Sequence, residues 1–127
     1  MRFIVLLLMI FVLAACGSNE SAIPYSEIPT TGDVARGEAL YMESIARSPT
    51  CASCHNADGG GSPSLEGYSD VAGTRVPDQD AHEYTFYAIA EPGQHILEGY
   101  GNAMYDQYDE KMTAQQIADL IAYLLTL

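Results

Sequence analysis

Two cysteines separated by two residues and followed at once by a histidine, Cys51-Ala52-Ser53-Cys54-His55, constrain this chain more than any other feature. The pattern is the attachment signature of a c-type haem. Two thiols must reach the two vinyl groups of one porphyrin to form thioethers, and two intervening residues on a short turn set their separation. The histidine that follows is placed under the ring, where its imidazole can bind iron from the proximal side. A chain of 127 residues has room for one small domain plus extensions.

The two-cysteine pattern has other uses. A zinc site needs two further ligands at compatible spacing, and His82 and His95 are not a tight pair. Thiol redox centres of the thioredoxin type sit in a βαβ setting, and nothing in this chain alternates with period two. The histidine directly after Cys54 favours haem over both.

The first residues belong to export rather than to the fold. Arg2 is followed by an unbroken apolar run over residues 3–15, shorter than the ~20 residues a membrane span needs and suited to the h-region of a signal peptide. Its end, Leu13-Ala14-Ala15-Cys16, resembles the lipobox of bacterial lipoproteins. That resemblance implies a signal peptide over residues 1–15 and lipidation of Cys16. The cysteine count agrees: of three, one goes to lipid and two to haem, so no disulfide is expected. Residues 17–31, rich in Ser, Asn, Glu, Pro and Thr, read as a flexible tether. The expected organisation is therefore a signal peptide over 1–15, a lipidated tether over 16–31 and a folded domain over 32–127.

The formal charge is −12, or −13 once Arg2 leaves with the signal. This argues against nucleic acid and anionic headgroups as partners and favours a docking partner with a basic patch; the bland alternative is that acidity only maintains solubility.

Within the domain three helices are legible. The first runs from Asp33 to about Ala46, with Val34, Gly37, Tyr41 and Ile45 on one stripe. A glycine on that stripe costs ~1 kcal/mol relative to alanine and suggests that another backbone passes there at close range. The second spans Ala81 to Ala90 and is stopped by Pro92-Gly93. The third begins at a capping box of Thr113 and Gln116, carries Ile117, Leu120, Ile121 and Leu124 on one face, and runs to the last residue. The stretches 58–67 and 69–80 read as loops. The expected class is all-α, without a sheet, and a buried porphyrin would supply apolar volume that so small a domain lacks.

The order of these features resembles a class I cytochrome c over residues 32–127. Gly32-Asp-Val-Ala-Arg-Gly-Glu-Ala-Leu-Tyr41 resembles the family's first helix, with Gly37 and Tyr41 at its glycine and aromatic positions. Ala118-Asp-Leu-Ile-Ala-Tyr-Leu124 resembles its last helix, with Leu120 and Tyr123 packing on the first. The resemblance implies a small cytochrome c fold, three to four helices around one covalent haem c, with the N- and C-terminal helices crossing. It implies Cys51 and Cys54 as the thioether residues, His55 as an axial iron ligand, and Pro63 as the carbonyl that accepts the His55 N–H. It also implies Met104 as the second axial ligand, although Tyr105 stands where the family usually has proline. Met112 and Met42 are expected to pack in the core. His82 or His95 would give bis-histidine ligation instead. Arg75 and Tyr100 are expected near a haem propionate.

The function so implied is a membrane-anchored, non-enzymatic carrier. It would pass single electrons from a quinol-oxidising complex to a terminal oxidase or reaction centre. It would sit on the outer face of the cytoplasmic membrane, or on the outer membrane of a Gram-negative cell. The alternatives are a fixed haem subunit of a larger respiratory or dehydrogenase complex, and a haem enzyme or sensor with an open iron site. One haem motif, and two iron ligands that leave no open position, weigh against the last.

Overall fold

The structure is a computed structural model that describes residues 21–56 and 61–127. Cys16 and the expected signal peptide lie outside the described residues, as does part of the loop after the cysteine motif. Among the described residues there is no strand, and no helix is long and apolar enough to cross a membrane.

Six helices follow one another: α1 (Val34–Met42), α2 (Cys51–Cys54), α3 (Tyr68–Val71), α4 (Ala81–Ala90), α5 (Tyr108–Lys111) and α6 (Ala114–Leu124). Three of these are single turns of four residues. The three longer ones are those the sequence predicts. Asp33 caps α1 by accepting the Arg36 N–H at 2.8 Å. Asp80 caps α4 through the Glu83 N–H. At α6 the capping box is complete: Thr113 Oγ1 accepts the Gln116 N–H at 3.2 Å and Gln116 Oε1 accepts the Thr113 N–H at 2.9 Å.

The frame of the molecule is the crossing of α1 on α6. Its closeness is set by two glycines. A Cβ at Gly37 would lie 2.0 Å from the Asp119 carbonyl oxygen, and one at Gly32 would lie 2.1 Å from that of Ala118. No side chain fits either place, so the backbones touch directly. The expected close approach at Gly37 is thus present; that at Gly32 carries no stripe signal in the sequence. Asp119, buried in the crossing, accepts hydrogen bonds from the Asp33 N–H at 2.7 Å, Arg36 Nε at 2.8 Å and Gln115 Nε2 at 2.9 Å. Tyr41 packs on Tyr123 with ring centroids 5.4 Å apart. Ile117, Leu120, Ile121 and Leu124 bury the apolar face of α6 as their spacing requires.

Several expectations need correction. The first helix ends at Met42, not near Ala46: Ala46 and Arg47 have positive φ, and Ser44 and Ser48 side chains take backbone carbonyls of the same turn. These local bonds compete with the helix and redirect the chain toward Cys51. Met42 is 57% exposed and Val34 44%, so neither is core; the α6 contact uses only the Gly37–Tyr41 side of α1. Met112 is buried as expected. The loop expected over 69–80 contains α3 and a 3-10 turn at Ala72–Thr74, and α5 was likewise hidden. The last helix stops at Leu124, three residues short of the expected end. Residues 21–31, expected to belong to a flexible tether, are seated on the domain. Ile28 is buried, Ile23 and Tyr25 are partly buried against the core, and Tyr25–Glu27 form a 3-10 turn. Widely spaced apolar residues in a polar stretch leave no periodicity, but each finds a place on the core.

Candidate haem site

Helix α2 is the local device that presents the cysteine motif. Thr50 caps it, Thr50 Oγ1 accepting the Ser53 N–H at 3.1 Å, while Ser53 Oγ donates to the Thr50 carbonyl at 2.6 Å. Cys51 and Cys54 stand three apart in one helical turn; Cys51 lines a cleft, whereas Cys54 is exposed and does not line it. His55 leaves the helix with ψ 44°, its N–H still on the Cys51 carbonyl at 2.9 Å. The two cysteines form no disulfide, and before attachment burial pushes the Cys51 thiol up to about 11.

Two contacts orient His55. The Tyr41 hydroxyl donates to its carbonyl at 2.7 Å, tying the motif to α1. Its Nδ1 lies 2.9 Å from the Pro63 carbonyl oxygen. A carbonyl only accepts, so Nδ1 carries the proton and Nε2 of the neutral ring keeps its lone pair for a metal. The Tyr108 hydroxyl donates to the Pro49 carbonyl at 2.9 Å and fastens the approach to α2 from the side of α5. Burial holds that phenol at about 12, so it remains a donor at any physiological pH. Sequence reasoning placed Tyr41 on the right face but missed both hydroxyl contacts, because their carbonyl partners have no residue-type signal.

Cys51 and His55 line an open cleft of about 1080 Å³, solvent space at its mouth included. Leu65, Ile89, Leu97, Leu120 and Leu124 line it with apolar surface. Tyr68 and Thr85, hydrogen-bonded to each other at 3.0 Å, contribute satisfied polar groups. Met104 lines the same cleft, 36% exposed, and is its one methionine among the described residues. Tyr105, where a proline was expected, packs edge-on against Tyr108 at 4.9 Å and donates its hydroxyl to Gln107 Oε1 at 3.2 Å. Arg75 and Tyr100 also line the cleft; the Arg75 guanidinium stands 5.9 Å from the ring centres of both Tyr68 and Tyr84.

The competitors separate. His82 is away from the cleft and paired with the Tyr25 hydroxyl at 3.0 Å. His95 lines the cleft and is exposed, as Met104 is, but its ring is engaged edge-on with Tyr84 at 5.9 Å. Met42 and Met112 do not line it. Among the described residues no three His, Cys, Asp or Glu side chains gather to hold a bare metal ion, so the zinc reading finds no ligand set. The donors that do converge, a thiol, an imidazole with a free Nε2 and a thioether in one apolar cleft, fit a porphyrin iron.

The family model described as cytochrome c matches residues 34–127. The chain therefore belongs to the cytochrome c family, and it binds haem c covalently at the motif formed by Cys51, Cys54 and His55. No curated protein and no solved structure matches it.

Proposed function

We propose that this protein is a lipid-anchored mono-haem electron carrier whose iron is held axially by His55 Nε2 and Met104 Sδ. The observation that carries this reading is the convergence of Cys51, His55 and Met104 on one cleft, with His55 Nδ1 engaged by the Pro63 carbonyl. When bound, haem supplies a one-electron Fe(III)/Fe(II) couple. The chain's part is to bind, orient and shield. Cys51 and Cys54 fix the group covalently. Pro63 holds the His55 ring in one tautomer and increases the basicity of Nε2. Met104, as a thioether ligand, favours a higher potential than a second histidine. Leu65, Ile89, Leu120 and Leu124 exclude water, and Arg75 and Tyr100 offer donors to a carboxylate. If His55 and Met104 both hold the iron, no open position would remain for a substrate, which would suit a carrier rather than an enzyme.

A formal charge of −12 supports a partner with a basic docking face, such as a quinol-oxidising donor and a terminal oxidase or reaction-centre acceptor. Cys16 would hold the carrier at the outer face of the membrane, so a Cys16→Ser chain should leave the membrane fraction. The test is electron transfer from the reduced holoprotein to a basic redox protein in stopped flow. The expected rate falls as salt rises, because screening removes the steering field. A rate that is flat or rises with salt contradicts the basic partner, and absence of transfer contradicts the carrier.

A further inference from the structure

The segment that reads as tether makes its two most N-terminal described bonds to a particular pair of carboxylates. The Ser21 N–H donates to Glu91 Oε1 at 3.0 Å, and the next amide, Ala22 N–H, donates to Asp109 Oδ2 at 2.5 Å. Glu91 is the C-cap of α4 and Asp109 lies in α5. Between them runs the loop 92–107, which carries Met104 and contributes Ile96, Leu97, Tyr100 and Ala103 to the cleft. Two consecutive peptide groups therefore bridge the two ends of the loop that bears the second axial ligand.

The bridge is built, not incidental. Asp109 is 5% exposed, and its partners are the Ala22 and Glu110 amides; no side-chain cation pairs with it among the described residues. A buried carboxylate held by backbone amides loses much if one is removed. Downstream, Tyr25 places its hydroxyl on His82 Nδ1 and its ring 5.3 Å from that of Phe86, and Ile28 is buried. From Ser21 to Tyr25 the segment thus runs from Glu91 and α5 back along α4 to His82.

We propose that residues 21–28 form a clasp, with Glu91 and Asp109 as positioning residues, that fixes the loop 92–107 and so keeps Met104 on the iron. This rests on the reading of Met104 as axial ligand. With the clasp weakened, the loop opens more readily and methionine ligation is lost at a lower denaturant concentration, while the His55 side is unaffected.

The test uses the ferric holoprotein at fixed pH and the methionine–iron charge-transfer band, followed as denaturant is raised, with far-UV circular dichroism reporting global unfolding. Asp109→Ala should favour loop opening on the order of tenfold, so that the band is lost at a lower denaturant midpoint and ahead of the dichroism. Glu91→Ala, at a half-exposed site, should act in the same direction by about threefold. Asp109→Asn, which retains an acceptor oxygen for the Ala22 N–H, should stay near the parent. Arg36→Ala, which weakens the α1–α6 crossing, should lower the dichroism midpoint without moving the band midpoint. If Asp109→Ala does not fold, Ser21→Pro decides, because it removes the amide donated to Glu91 Oε1 and leaves the bond from Gln94 to Glu91 in place. Unmoved midpoints in the clasp variants, with the band present in the parent and absent in Met104→Ala, overturn the clasp and leave the ligand standing. A parent without the band, or a Met104→Ala chain that keeps it, overturns the ligand reading and the clasp with it.

Discussion

Asp119 is the residue on which the frame depends most, although nothing in its sequence neighbourhood announces it. It accepts from Asp33, Arg36 and Gln115 inside the α1–α6 crossing. The Arg36 guanidinium, hydrogen-bonded to it, holds its carboxyl well below the ordinary 3.8, at about 2. The folded value is depressed, so the group adds stability that is fully present above its unfolded value near pH 4 and is lost as pH falls toward 2. Far-UV circular dichroism of the holoprotein titrated from pH 5 to pH 2 should show Asp119→Asn less stable at pH 5 and falling less steeply below pH 4. Parallel curves for parent and variant would show that this carboxyl does not carry the acid sensitivity. At this scale legibility follows distance along the chain. Cys51, Cys54 and His55 could be read because their chemistry is packed into five positions. Two of the partners of Asp119, Asp33 and Arg36, lie at the far end of the domain sequence, and the Tyr41 and Tyr108 hydroxyls bond to main-chain carbonyls, which every residue possesses. Met42 was misplaced because an apolar side chain on a helix was assumed to face the core.

Among the elements, α1, α4 and α6 were legible since each is long enough to repeat its pattern and begins at a side-chain cap. The single turns α3 and α5 could not be, since four residues hold barely one period. The 21–31 segment is illegible for a related reason: Ile23, Tyr25 and Ile28 follow no period, and only the tertiary surface of the core gives them a site. The crossing of α1 on α6 is the element-scale feature that the sequence did disclose, through one glycine on a buried stripe. Gly37→Ala puts a methyl group 2.0 Å from a main-chain oxygen, and no rotamer can relieve it. The helices must separate, at a cost of about 3 kcal/mol, although alanine is the better helix former. Chemical denaturation of the holoprotein should report a loss of that order. A neutral or stabilised variant would mean that the backbones do not touch there.

For the molecule as a whole, the helical frame and the cleft are two views of one arrangement. Helix α1 holds the motif through the Tyr41 hydroxyl, α6 lines the cleft with Leu120 and Leu124, and α5 reaches the motif through Tyr108. The loop that carries Met104 closes the same space and is clasped at both ends by the N-terminal segment. The cytochrome c architecture was legible because motif, flanking helices and their order are all written locally. The bracing of the distal loop was not, since it depends on two backbone amides. The central claim is that Met104 and His55 together close the iron, and carbon monoxide added to the reduced holoprotein at neutral pH tests it most directly. The parent chain should keep its visible spectrum unchanged, and Met104→Ala should bind carbon monoxide readily. Carbon monoxide binding by the parent chain would contradict it.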